Sequence, residues 1–175
     1  MRLLPIFACL GVMALAGRAA DVPRKAPDLA IHMNSGKDVP VSSYRGKVVC
    51  VAFILTTCSH CQNTTRLLTR IQNDLGSRGL QVIEASIEPN GNVTVPGFIQ
   101  QFSPPFPVGY IDQPAAEAFL QHVPMKILHV PGLALIDRKG QIVAQFEGDD
   151  PFLMEGVQEK NLREKIGKLL GPAKP

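Results

Sequence analysis

What is missing from this sequence narrows its function first. Its 175 residues hold four cysteines, and outside Cys58 and Cys61 there is no second C-x-x-C and no H-x-x-x-H to complete a structural zinc site. Gln62, not histidine, follows the second cysteine, which removes the haem-attachment pattern. There is no phosphate-binding glycine loop, no G-x-S-x-G and no internal repeat, so the sequence has none of the usual marks of a nucleotide-binding loop, a serine-hydrolase elbow or a solenoid. Excess charge is also missing: 18 basic residues face 15 acidic ones. Removing Arg2 and Arg18 with the first twenty residues leaves 16 against 15, a net charge of +1, which implies no nucleic acid or other polyanion as partner.

Length allows one domain with a proper core and not two. Met1-Arg2, the apolar stretch Leu3 to Leu15 and then Ala14-Leu15-Ala16 and Gly17-Arg18-Ala19 have the three parts of a secretory signal peptide, so residues 1–20 are expected to be a leader, with an uncleaved anchor as the alternative. The stretch is too short to span a bilayer well. Cys9 lies within it without a lipobox. Residues 21–28, with Pro23, Arg24-Lys25 and Pro27, read as an extended, loosely held linker, and residues 29–171 as the folded domain. Export implies an extracytoplasmic, periplasmic-type location, where a cysteine pair needs partners that set its redox state.

The chain is organised around Val48 to Cys61. Val48 to Leu55 is an unbroken apolar run rich in β-branched residues, as in a strand covered on both faces. From Cys61 the period becomes helical through Thr64, Leu68, Ile71 and Leu75, with Gly76 placed to stop the helix. Cys58 thus falls at the helix start, where unpaired amides and the positive end of the helix dipole favour a thiolate over a thiol. Cys61, one turn on and facing inward, can attack a mixed disulfide formed at Cys58. Cys50, mid-strand among apolar neighbours, reads as an inert core thiol.

Around this centre, Leu29 to Met33 and Asp38 to Val41 flank the turn Asn34-Ser35-Gly36-Lys37 as a small hairpin. Leu80 to Ile87 is a second strand, reached through a helix and therefore parallel to the first. Glu84 and Glu88 fall in its later half, the end where such sheets place their sites, and are candidates for proton transfer, although a solvated strand-end charge is the plainer account of each. Asn90-Gly91-Asn92 reads as a turn, Pro96 to Phe102 as a short helix, Val108 to Ile111 as a short strand and Pro114 to His122 as a helix. Val123 to Val130 is expected to be a loop beside the site. Leu133 to Asp137 and Gln141 to Phe146 form the clearest hairpin, and Leu162, Ile166, Leu169 and Leu170 mark a terminal amphipathic helix ending at Gly171-Pro172.

This order of elements, with Tyr44-Arg45-Gly46-Lys47-Val48-Val49, Cys58-Ser59-His60-Cys61, Phe106-Pro107-Val108 and Val130-Pro131 ahead of Leu135-Ile136-Asp137-Arg138-Lys139-Gly140-Gln141-Ile142-Val143, resembles the thioredoxin fold and, within it, the exported TlpA/ResA-like thiol-disulfide oxidoreductases. The resemblance spans about residues 27–171. It implies an α/β, thioredoxin-like fold with a central mixed sheet flanked by helices and an N-terminal β-hairpin extension. It further implies that Cys58 is the nucleophile and Cys61 the resolving thiol, that Ser59 and His60 tune the potential, and that Pro131 is the family's cis-proline, with Val130 offering backbone hydrogen bonds to a substrate strand. Two positions depart from the pattern. Thr57 stands where the family usually has tryptophan, and Ala52 where thioredoxins bury a carboxylate, which leaves proton handling to Glu84 or Glu88.

The expected activity is disulfide exchange with cysteine-containing proteins, recharged by a membrane or exported redox partner, in a monomer without cofactor or resident metal. His60 points towards an oxidant, since a protonatable ring favours the reduced form, whereas TlpA/ResA-like proteins are more often reductants. A structural disulfide is one alternative; its small loop would add little chain-entropy stabilisation. Copper(I) handling through Cys58, Cys61 and His60 or Met125 is another, because soft ligands suit that ion. A thioredoxin-fold peroxidase is a third, although Val51 to Leu55 lacks the proline of the Pro-x-x-x-Thr-x-x-Cys arrangement.

Overall fold

The computed structural model describes residues 21–172; the expected leader, Cys9 included, lies outside the described residues. Eight strands, β1 (Arg24–Lys25), β2 (Ala30–His32), β3 (Asp38–Pro40), β4 (Val48–Ile54), β5 (Leu80–Ser86), β6 (Val108–Tyr110), β7 (Gly132–Ile136) and β8 (Gln141–Phe146), form one mixed sheet in the order β1-β8-β7-β4-β5-β6-β2-β3. Four helices cover it: α1 (Ser59–Leu75), α2 (Gly91–Phe102), α3 (Gln113–Leu120) and α4 (Gln158–Leu170). This is the thioredoxin-like α/β fold. No helix among the described residues is long and apolar enough to cross a membrane.

The unalternating run Val48–Ile54 is β4, and every residue in it is buried. It lies between β5, parallel, and β7, antiparallel. Its even-numbered side chains join α1, α2 and α4 in one core layer, with Cys50, Ala52 and Ile54 against Leu68, Phe98 and Ile166. Its odd-numbered ones join α3 in the other, where Phe53 meets Phe119 edge-on at 5.6 Å, an arrangement that adds about 0.5–1.5 kcal/mol beyond area burial. Both faces being apolar, the strand has one stable place, mid-sheet.

Two expectations need correction. Residues 24–25 are not a loose linker: they pair antiparallel with β8, Arg24 Nη2 donates to the Phe119 carbonyl at 2.8 Å and Ala26 N–H to the Gly140 carbonyl at 3.0 Å. Asn90-Gly91-Asn92 opens α2 instead of turning, so that helix starts five residues before Pro96. Proline has no N–H for the Asn92 carbonyl one turn back, and the side-chain amide of Asn34 supplies that hydrogen bond at 2.8 Å. As expected, α1 stops at Gly76, its C-cap; a short 3-10 turn follows, and Gly79 takes the left-handed position at φ +100°.

The hairpin β2–β3 extends the sheet because β2 pairs with β6, His32 opposite Tyr110. Gly109 permits this: a Cβ there would strike the His32 carbonyl oxygen and lie 2.7 Å from Ile31 Cγ2. Gly109→Ala is therefore expected to lower the urea-unfolding free energy by about 1–3 kcal/mol through overpacking. An unchanged midpoint would show that the hairpin shifts to accommodate the methyl group.

Candidate active site

The site lies where β4 hands the chain to α1. Cys58 is the N-cap of α1, with extended backbone angles, and its sulfur accepts the Cys61 N–H at 3.3 Å. It is half-buried. Cys61 is fully buried in the first turn, packed into the core layer beneath the helix. Cys50, Cys58 and Cys61 are free thiols. Burial above all, then the Cys58 sulfur and the carboxyl of Glu84, push the Cys61 thiol far above its ordinary range, against a lowering contact with the Leu55 backbone. Burial likewise pushes Cys50 up to about 12, with Glu84 adding to it, and no solvent reaches it.

Glu84 is not a solvated strand-end charge. Its parallel register puts it beside Ala52, pointing under α1, with no exposed surface. The methyl group of Ala52 leaves the room that the carboxyl fills. Burial raises the acid to about 8, only partly opposed by the hydrogen bond with Thr65. Thr65 Oγ1 lies 3.1 Å from Glu84 Oε2 and 3.1 Å from the Cys61 carbonyl. A hydroxyl carries one hydrogen, so a protonated Glu84 donating to Thr65, which donates to Cys61, satisfies both contacts; an ionised Glu84 takes the Thr65 hydrogen for itself. Among the described residues, Glu84 Oε1 has no hydrogen-bond partner.

Glu88 stands in a contrasting setting. It accepts from the Thr56 N–H (2.8 Å), the Thr56 hydroxyl (2.9 Å), Thr94 Oγ1 (2.6 Å) and Ser86 Oγ (3.3 Å). Partial burial alone would raise its pKa, but the bonds from Thr94, Thr56 and Ser86 together outweigh it and hold the carboxyl below its ordinary 4.5. Glu88 thereby ties the loop before Cys58 to the end of β5 and to α2. Gln62 adds a second tie, donating to the Thr56 carbonyl at 2.9 Å. Neither Thr56, Thr65 nor Gln62 stands out in the sequence, because their role comes from strand register and helix phase.

Ser59 is exposed, and His60, half-buried, points its Nε2 at the Leu153 carbonyl at 3.2 Å. That acceptor places a hydrogen on Nε2. Across the sheet, Gly132 is opposite Phe53, which sets Pro131 level with Ile54 at the end of β4 that leads to Cys58. Val130 and Cys58 pack against the same core layer. The Val130–Pro131 peptide is cis, as is Val22–Pro23. Met125 stands fully exposed in the loop after α3, and His60 already has Leu153 as a partner. No cluster of three or more His, Cys, Asp or Glu with metal-binding geometry occurs among the described residues.

Since Glu88 is held below 4.5, its contribution to stability is complete above that value and is lost as pH falls through its lower folded-state pKa. Glu88→Gln should cost about 1–3 kcal/mol near pH 7 and flatten the acid limb of a urea-unfolding series. A variant that keeps the wild-type acid limb would assign that loss to another group.

Residues 22–164 match the Redoxin family. Thiol-disulfide oxidoreductase ResA of Bacillus thuringiensis subsp. konkukian is 22% identical over 129 residues, covering 74% of this chain and 71% of that protein. Among solved structures, a Chlorobium tepidum protein assigned as thiol:disulfide interchange protein DsbE superposes with a TM-score of 0.71 at 25% identity, over 86% of this chain and 99% of that one. A second Chlorobium tepidum structure, a thioredoxin family thiol:disulfide interchange protein, gives 0.70 at 20% identity over 87% and 100% and shares the fold. With a half-buried cysteine capping α1, a buried one a turn later and the family match over most of its length, the chain belongs to the Redoxin family and is a thioredoxin-fold thiol-disulfide oxidoreductase.

Proposed function

We propose that this enzyme acts outside the cytoplasm, exchanging disulfides with cysteine-containing proteins through Cys58 and Cys61. The observation that carries the reading is the asymmetry of the pair: Cys58 reaches solvent at the helix start, and Cys61 lies beneath it beside a buried carboxyl group. In the reducing direction the Cys58 thiolate attacks a substrate disulfide. One substrate sulfur joins Cys58, and the other leaves as a thiolate that takes up a proton. Cys61 then loses its proton and attacks the Cys58 sulfur. The second substrate thiolate leaves, Cys58 and Cys61 are joined, and two electrons have passed to the substrate. The oxidising direction is the reverse.

The ionised form of Glu84, a minority below about pH 8, receives the Cys61 proton in this scheme. With a pKa of about 8, it changes state close to neutral pH, and it is near enough to Cys61 to raise that thiol electrostatically. Glu88, held ionised by its donors, positions the Thr56 to Cys58 turn. Val130 and Pro131 present backbone to the substrate strand, and Ser59 and His60 bias the potential. The N-terminal leader or anchor supports an extracytoplasmic location, as does the likeness to ResA. A membrane or exported partner would reset the pair, and the protein would act as a monomer.

Cys58→Ser is expected to abolish exchange with an oxidised peptide, and Cys61→Ser to accumulate the mixed disulfide, both read by mass spectrometry after acid quenching. Exchange that survives Cys58→Ser would refute the reading. The reduction potential in glutathione and dithiothreitol buffers fixes the direction: a value near −270 mV belongs to a reductant, and one near −120 mV to an oxidant.

Glu84→Gln separates chemistry from stability. The folded-state pKa of Glu84 is raised from 4.5 to about 8, so the stability that it contributes is complete below 4.5 and declines as pH rises through about 8. The variant should therefore lose less stability between pH 5 and pH 9 than wild type, while release of the mixed disulfide slows by about a hundredfold. Unchanged release kinetics would remove Glu84 from the proton path.

A further inference from the structure

The irregular segment between α3 and β7, residues 121–131, delivers Val130 and Pro131 to the site. It is held by the end of β8. A cavity of about 440 Å³ lies between them, lined by His122, Lys126, His129, Glu147 and Asp149 among others. The His122 side chain is 5% exposed. Its Nδ1 is 2.8 Å from Glu147 Oε1 and its Nε2 3.1 Å from the Lys126 carbonyl. Both partners are pure acceptors. A neutral imidazole has one N–H, and only the imidazolium donates at both nitrogens.

The residue after Glu147 grips the other end of the segment. Gly148 N–H donates to the His129 carbonyl at 2.8 Å. Its Cα is so close to the Val130–Pro131 peptide that a Cβ would strike the Val130 carbonyl oxygen, lying 2.7 Å from the carbonyl carbon and 3.2 Å from Pro131 N. Glu147 and Gly148 thus hold the beginning and the end of the segment with adjacent residues. The residue that meets His122 and the residue that touches Val130 are thus neighbours in the chain.

We propose that protonated His122 is a positioning residue, a clamp through Glu147 and Gly148 that keeps Val130–Pro131 placed for a protein substrate, so that rising pH weakens exchange with proteins more than with small disulfides. The proposal rests on Val130 and Pro131 being the substrate-facing backbone. Burial alone would oppose the charge on His122. The carboxylate of Glu147, just past the end of β8, the Lys126 carbonyl and, more distantly, Glu117 from α3 outweigh it and raise the ring above its ordinary 6.5. The Lys126 ammonium belongs to the same segment, and His129 and Asp149, 3.9 Å apart at the rim, are the other titratable groups lining the cavity. The clamp is therefore closed below 6.5 and opens as pH climbs through the raised value.

The experiment uses the full chain and compares its exchange rates with an oxidised cysteine peptide and with oxidised glutathione across pH 6 to 9, while NMR follows the His122 ring and the Val130 and Gly148 amides. Ionisation of Cys58 cancels in the ratio of the two rates. The ratio is expected to fall about fivefold with the midpoint of the His122 ring, and the two amides to shift with it. Glu147→Gln, which keeps an acceptor and removes the charge, should move all three midpoints down together by about one pH unit. A ratio independent of pH, amides that ignore the ring, or a midpoint unmoved by Glu147→Gln would overturn the clamp. If exchange persisted in Cys58→Ser, the assignment of the redox pair would fall instead, and the NMR titration would still decide whether the clamp exists.

Discussion

Taking a carboxyl group out of water beneath a helix is costly unless the group is neutral or paired, and Glu84 meets that constraint by holding its proton to about pH 8. Much of the site is arranged around this. Ala52, the adjacent residue on β4, is small enough to leave the space, and Thr65, one turn beyond Cys61, is the polar contact that α1 provides. The hydroxyl of Thr65 also links the acid to the backbone of the buried cysteine, so a proton gained or lost at Glu84 is felt at Cys61 through a hydrogen bond as well as through charge.

Two glutamates four residues apart thus have opposite characters. Glu84 sits within β5 and faces the core; Glu88 lies beyond the strand end and meets three hydroxyls and an amide. One environment supplies burial and a single polar contact, and the other enough donors to overcome partial burial. Pairs of acids pushed apart in this way are how a site acquires both a group that exchanges protons near neutrality and a fixed charge that holds its shape. Around the second of these, the turn from Thr56 to Cys58 keeps its form without an ion pair.

The central strand, the C-x-x-C at a helix start and the β7–β8 hairpin were legible because each is written in a local pattern: an unalternating apolar run, a change of period, and two apolar runs about the turn Arg138-Lys139-Gly140. The burial of Glu84 was only half legible. Alternation in Leu80 to Ser86 puts Val82 and Glu84 on one face, but which strand and which small residue lies alongside is a matter of register, fixed by contacts with β4. The start of α2 was hidden by Pro96, since the hydrogen bond that makes the proline tolerable comes from Asn34, far away in the chain. β1 was hidden for a similar reason: three residues between prolines carry no strand signal, and it is β8 and the Phe119 carbonyl that hold them. His122 gave no sign, because its character depends on two acceptors brought together by tertiary structure.

The short strand β1 matters for the company such a protein keeps. Without it, β8 would present an open row of backbone donors and acceptors, a template on which an unfolded chain could add a strand. β1 covers that row for two residues and is bounded by Pro23 and Pro27; at the far side of the sheet, β3 is three residues long and ends in Pro40. Both margins of the sheet are short and closed off by residues without an N–H to extend the ladder. The molecule can thus present a reactive sulfur at one end of its sheet without presenting, at either margin, an edge on which another chain could aggregate.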